Sequence, residues 1–180
     1  MPLSAPATRE VIHTRQIECN GFRREDGLWD IEANLTDIKS YAVENNWRGT
    51  VAPGDPIHDL WVRLTLDDDL LITAIETASD TTPYKLCPTV AENFQALVGI
   101  RIAPGWNRAV KSRVGGTKGC THIVELMSTV ATVAFQTIFS LREKELMAGD
   151  KRPPMLDSCL AWDTSGPVVK AQYPTWYKGS

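Results

Sequence analysis

The spacing of apolar residues changes once along this chain, and that change limits the folds open to it. Between Val11 and Ala78 apolar and polar residues alternate, as in Leu60, Val62, Leu64 and Leu66 against Asp59, Trp61, Arg63 and Thr65. A period of two belongs to strands with one buried face. After residue 88 the period becomes that of helices. Thr89 and Glu92 form a capping-box pattern, which predicts a short helix over 90–98 stopped by Gly99. A second short helix is expected from Trp106 to Arg113, ended by Gly115-Gly116, and a long one from Thr121 to Met147. Strands followed by helices indicate an α+β fold. The expected architecture is an antiparallel sheet of two hairpins, with at least four strands, packed on one face by three α-helices including a long C-terminal one.

The 180 residues suit one domain. We divide it into a polar arm (1–9), a hairpin layer (11–78), a helical layer (89–147) and a tail (153–180) that packs back on the rest. Val168-Val169 in that tail is strand-like. Asp26-Gly27 is read as a two-residue hairpin turn. That turn sets Arg23 opposite Asp30, Phe22 opposite Ile31 and Arg24 opposite Trp29. Phe22, Trp29, Ile31, Ala33 and Leu35 then face the core. Arg23, Asp30 and Glu32 face away, joined by His13 and Arg15 unless a bulge at Cys19-Asn20-Gly21 intervenes. Residues 36–56 read as a polar connection.

The formal net charge of -3 gives no basic field for nucleic acid. The charge is uneven: residues 1–85 hold 8 basic and 15 acidic side chains, residues 86–180 hold 11 and 7. Cys19, Cys87, Cys120 and Cys159 form no CxxC, and MPLSAPATREV has no signal-peptide pattern, so free thiols in a reducing cytoplasm are expected. Ile123 to Leu141 is the most apolar stretch, but it contains Glu125 and Gln136. We read it as a core or interface helix with no membrane partner, and expect its apolar side to make a homodimer.

The segment VGGTKGCTH is no phosphate loop: its lysine precedes the last glycine, no Ser/Thr follows that lysine, and a helix precedes the segment. The start of a long helix still attracts an anion, aided by Lys118. Cys120 is expected to pack as a small buried residue. His122 lies two residues on, about 200° around a helix, so the two form no pair unless Cys120 lies outside it. A metal, if any, would take Cys87, Cys120, His122 and Cys159, although no cofactor is called for by any motif. His58, at a strand start, is a candidate acid–base group oriented by Asp59, Asp30, Glu32 or Asp37. Arg15, Arg23 and Arg63 are candidates for holding a carboxylate or enolate oxygen, with Arg23 also a cross-strand partner for Asp30. Tyr84 is a candidate donor to a phenol or carbonyl. Trp29, Trp61 and Trp106 are candidates to line an aromatic slot.

Several of these motifs occur in order: His13-x-Arg15, then Arg23 with Asp26-Gly27-Leu28-Trp29-Asp30-Ile31-Glu32 and Asp37. Gly54-x-Pro56-Ile57-His58-Asp59 follows with Arg63 and Asp67, then Pro83-Tyr84 with Cys87, Gly105-Trp106 and Gly119-Cys120-Thr121-His122. In combination they resemble, over residues 11 to 177, a bacterial family known only as a domain of unknown function, DUF2889. The resemblance implies no activity, but relatives in bacteria that live on aromatic compounds imply a catabolic setting. The expected function is a small cofactor-independent enzyme of the lyase or isomerase type, acting on an aromatic or carbonyl compound. His58 or His122 would move the proton, Asp30 or Asp59 would orient it, and Arg63 and Tyr84 would hold negative charge. A non-catalytic ligand-binding domain and a Cys/His metal protein are the alternatives.

Overall fold

The computed structural model describes residues 3–146 and 151–179; the first two residues of the expected arm and Met147, the expected helix end, lie outside these. The α+β class stands. The described residues include the strands β1 (His13–Arg23), β2 (Trp29–Lys39), β3 (Val43–Asn45), β4 (Gly49–Val51), β5 (Pro56–Leu66) and β6 (Ile72–Thr81). A four-stranded antiparallel sheet has the order β1-β2-β5-β6, and β3 and β4 form a separate ribbon inside the expected polar connection.

The first hairpin corrects the expected register. Arg24 N–H donates to the Leu28 carbonyl at 2.9 Å and Gly27 N–H to the Arg24 carbonyl at 3.3 Å, so the loop has three residues. Gly27 takes φ 85°, the left-handed position of a turn-plus-bulge hairpin. Arg23 therefore pairs with Trp29, Phe22 with Asp30 and Gly21 with Ile31. One residue of slip turns β1 over. His13, Arg15, Ile17, Cys19, Gly21 and Arg23 share the face of Trp29, Ile31, Ala33, Leu35 and Asp37. Phe22 goes to the other face and is 47% exposed. Arg24, not Arg23, pairs with Asp30, while Arg23 lies 5.6 Å from the centre of the Trp29 ring.

Register is continuous through Cys19-Asn20-Gly21, so no bulge lies there. In the β2–β5 pairing an irregularity falls on β5, where His58 faces Asp37 and Pro56 faces Ile38, leaving Ile57 between them, and the β5–β6 pairing shifts register twice more. The second hairpin repeats the three-residue design, with Leu70 at φ 62° in the position Gly27 holds in the first.

The expected first helix is a 3-10 stretch, Cys87–Leu97. Pro88 sits in its first turn, and Thr89 Oγ1 donates to the Leu86 carbonyl at 2.7 Å instead of capping. The two later helices are α1 (Trp106–Val114) and α2 (Thr121–Leu146). Trp106, Val110, Val114, Ile123, Leu126, Met127, Val130 and Ala134 are buried, as are Leu60, Val62, Leu64 and Leu66 of β5. Glu125 of α2 meets Arg15 of β1, and Thr137 of α2 lies against Gly21. Twelve helical residues rise about 18 Å and six strand residues about 20 Å, so α2 runs along β1 in the same direction.

The chain divides into two compact units, 1–137 and 138–180, with α2 running from one into the other. In the second unit Ile138, Phe139, Met155, Leu156 and Val169 are buried. Val168-Val169 is helical, within α3 (Pro167–Gln172), because Gly166-Pro167 starts a helix rather than a strand. Asp157 accepts the Thr164 N–H and hydroxyl, both at 3.0 Å, and Tyr173 donates to Glu143 at 2.8 Å.

Candidate functional site

On the core-facing side of β2 the alternation Trp29, Ile31, Ala33, Leu35 ends on Asp37, which is 2% exposed. A carboxylate so buried needs partners. Arg15, its cross-strand neighbour, donates Nε to Oδ1 at 2.8 Å and Nη2 to Oδ2 at 2.7 Å. His13 Nε2 lies 3.2 Å from Oδ1, and His58 Nδ1 lies 3.0 Å from Oδ2. His122 Nε2, from the first turn of α2, is 3.9 Å from Oδ2. Burial pushes the Asp37 carboxyl up, but hydrogen bonds and charge from Arg15, then His58 and His13, more than reverse this and hold it below its ordinary range. Arg15 is shared with Glu125.

The two inner histidines stack, with ring centroids 3.9 Å apart and a 37° tilt. An ionised Asp37 only accepts, so His58 donates Nδ1–H to it and keeps the Nε2 lone pair on the far edge of its ring. Burial and the neighbouring His122 hold His58 below its ordinary pKa, against the pull of Asp37. His122 is displaced the other way: its bond to Cys120 raises it, outweighing burial.

Cys120 carries the exception the sequence left open. Its carbonyl accepts the Val124 N–H at 2.9 Å, the first bond of α2, so Cys120 is the cap residue just outside the helix. Its Sγ lies 3.7 Å from His122 Nδ1, and backbone N–H groups of His122 and Ile123 also bond to it. Burial pushes this thiol up, yet those bonds leave it below its ordinary pKa. Cys19, half-buried in the sheet, is pushed up to about 11 by desolvation.

A cleft of about 460 Å³ opens over these groups. His58, Cys120 and His122 meet Tyr84, Cys87, Leu86, Val90 and Pro83 there, with Thr117 and Gly119 from the glycine segment. Tyr84 is 53% exposed. The walls are mainly apolar, which suits a small apolar or aromatic molecule.

The other expected site residues lie elsewhere. Asp30, Asp59, Trp61 and Arg63 have the opposite strand parity and face away from the histidines. Arg63 bonds Glu32 at 2.6 Å and Glu76 at 3.0 Å, beside Trp61 in a shallow depression of about 170 Å³. Asp30 accepts the Thr65 hydroxyl at 2.7 Å, and Asp59 accepts Asn34 Nδ2 at 2.7 Å. Trp29 and Trp106 are core, donating Nε1–H to Asp68 and to the Met127 carbonyl. Arg23 stays by Trp29. Lys118 donates to the Ser112 carbonyl at 3.4 Å, and Cys159 is exposed in the second unit.

The expected cysteine ligand set is not what converges. Asp37, His58 and His122 are the described residues whose ligating atoms all lie within 4.8 Å of one another, close enough for a cation. Arg15 opposes an ion there, because its guanidinium already neutralises Asp37 and bonds both oxygens. Asp37 was one of four carboxylates open as the partner of His58. The signal that singles it out is its position on the buried parity of β2. The Arg15–Glu125 link joins elements far apart in sequence and left no such signal.

No curated protein and no solved structure matches the chain. A family model described as a protein of unknown function, DUF2889, matches residues 13–136, which hold the whole cluster from His13 to Glu125, and the chain belongs to that family.

Proposed function

We propose that this protein is a small cofactor-independent enzyme performing acid–base chemistry, of the lyase or isomerase type, on an apolar aromatic or carbonyl compound. One observation carries the reading. His58 and His122 stack at 3.9 Å in the wall of an apolar cleft, and of these two His58 alone is within hydrogen-bonding distance of the buried carboxylate. Two like groups in unlike surroundings supply an acid and a base together. Neutral His58 takes the proton through Nε2, with Asp37 fixing its tautomer. Protonated His122 returns a proton or stabilises developing negative charge. Tyr84 is the donor to a substrate oxygen. The free thiols of Cys19, Cys87, Cys120 and Cys159 support a cytoplasmic location.

The pH dependence follows from the opposite displacements. His58 is a base above its own pKa, which lies below 6.5, and His122 is an acid below its pKa, which lies above 6.5. Activity is therefore expected to be bell-shaped, with its maximum between the two pKa values. The test is to screen purified protein against aromatic dimers and acyl compounds, with His58→Ala and His122→Ala beside it. Each variant is expected to lose roughly 100-fold or more, and the limb it governs. Parent-like activity in both variants would overturn the assignment. So would one equivalent of zinc or iron by elemental analysis, because the histidine nitrogens would then be ligands.

A further inference from the structure

We infer that Cys120 is the nucleophile of a further activity in this cleft: hydrolysis of esters or thioesters of small apolar acids through an acyl-cysteine intermediate. The inference rests on reading the cleft as a substrate site but not on the proton transfers assigned to His58. Cys120 and His122 both line the cleft, with sulfur and Nδ1 3.7 Å apart. The capping position makes this contact possible, since the same residues inside a helix would point apart. A thiolate at a helix start, beside an imidazolium, is the arrangement that activates cysteine. The titratable and charged groups facing the pair are His58 on β5, Asp37 on β2 and Arg15 on β1, with Tyr84 and Cys87 lining the same cleft. Asp37 stands 3.9 Å behind His122 Nε2, on the side away from the sulfur contact. Leu86, Val90 and Pro83 offer the acyl group an apolar wall.

The chemistry balances within these groups and water. The Cys120 thiolate adds to the acyl carbon, forming an S–C bond and moving the carbonyl pair onto oxygen. Collapse breaks the bond to the leaving alcohol or thiol, which takes the proton from the His122 imidazolium. Neutral His122 then deprotonates a water that adds to the acyl-cysteine. The second collapse breaks the S–C bond and releases the carboxylic acid, leaving thiolate and imidazolium as at the start.

The test uses the full chain under reducing conditions. With 4-nitrophenyl butyrate and with a benzoyl thioester, a burst of leaving group of about one equivalent is expected. Peptide mass mapping of the quenched protein is expected to place the acyl group on Cys120. Cys120→Ser should slow release by roughly 100-fold or more, whereas Cys159→Ser, in the second unit, should not. Because Cys120→Ser also changes a helix cap, the parent gives an independent reading. Iodoacetamide at pH 6 should label Cys120 about tenfold faster than it labels glutathione, and His122→Asn should move that labelling to higher pH. No adduct, an adduct on another cysteine, or labelling at the glutathione rate overturns the proposal. Activity that survives Cys120→Ser but is lost in His58→Ala overturns the thiol step alone and leaves the acid–base reading in place.

Discussion

Asp37 concentrates the cost of this site in one side chain. It is buried, ionised and shared among Arg15, His13 and His58. Removing the charge leaves Arg15 with Glu125 alone, and an incompletely paired group costs about 1–3 kcal/mol. Asp37→Asn keeps the shape and removes the charge, so it is expected to lower stability at pH 7 by about that amount in urea melts. The pH dependence has a definite sign. The folded carboxyl titrates below its ordinary 3.8, so its contribution is present above that value and lost as pH falls through the folded pKa. The parent should therefore approach Asp37→Asn in stability under acid, with the gap open above pH 4 and closing below it. A gap that stays constant down to pH 2 would show that the loss is steric. His13 is part of the same set, and the sequence placed it with Arg15 one residue from a different answer. Parity along β2 exposes Asp37 as an anomaly, but nothing in the sequence says which cations answer it.

At the scale of elements, the strand and helix spans were largely legible while the register of β1 was not. Alternation along β2 and β5 is set by burial, which local sequence reports directly. The β1 register is set by loop length, and Asp26-Gly27 serves a two-residue turn and a three-residue turn-plus-bulge equally well. Because β1 is mostly exposed on both faces, its own pattern could not arbitrate. Gly21 marks where it presses on a helix. A Cβ there would come within 2.9 Å of Thr137 Cβ and closer still to its hydroxyl and methyl. Threonine is stiff about χ1, so the clash moves backbone rather than side chain. Gly21→Ala is expected to cost about 1–3 kcal/mol in thermal or urea unfolding. Gly21→Ala/Thr137→Ala removes the two closest atoms, the hydroxyl and the methyl, but keeps the Cβ, and should recover part of it. Single and double variants of equal stability would mean that α2 and β1 do not touch at this point. The 3-10 stretch had the weakest sequence support, since Pro88 opens it and the capping box never closes.

For the whole molecule, the open question at the sequence level was what the apolar run of α2 is for. Thr121–Glu143 is long and apolar enough to cross a membrane by length and composition. Its own residues assign it elsewhere: Ile123, Leu126, Met127, Val130 and Ala134 are buried core, and His122 and Glu125 reach the polar cluster. The core takes that face of the helix, and a homodimer has a second surface open to it at the edge of the sheet. Among the described residues no strand pairs with the outer edge of β1, which is eleven residues long. Phe22 lies exposed on that strand. A long unpaired edge recruits another strand, and a second copy in antiparallel register satisfies both edges at once. Light scattering is expected to give twice the chain mass, and Phe22→Lys to return the protein to monomer with a melting temperature that no longer depends on protein concentration. If the parent is monomeric, the homodimer expectation fails. If Phe22→Lys remains dimeric, the contact lies away from β1. Arg15, which bonds Asp37 of β2, sits on this same strand, so a variant that opened the dimer and also moved the pH profile would tie assembly to the histidine pair.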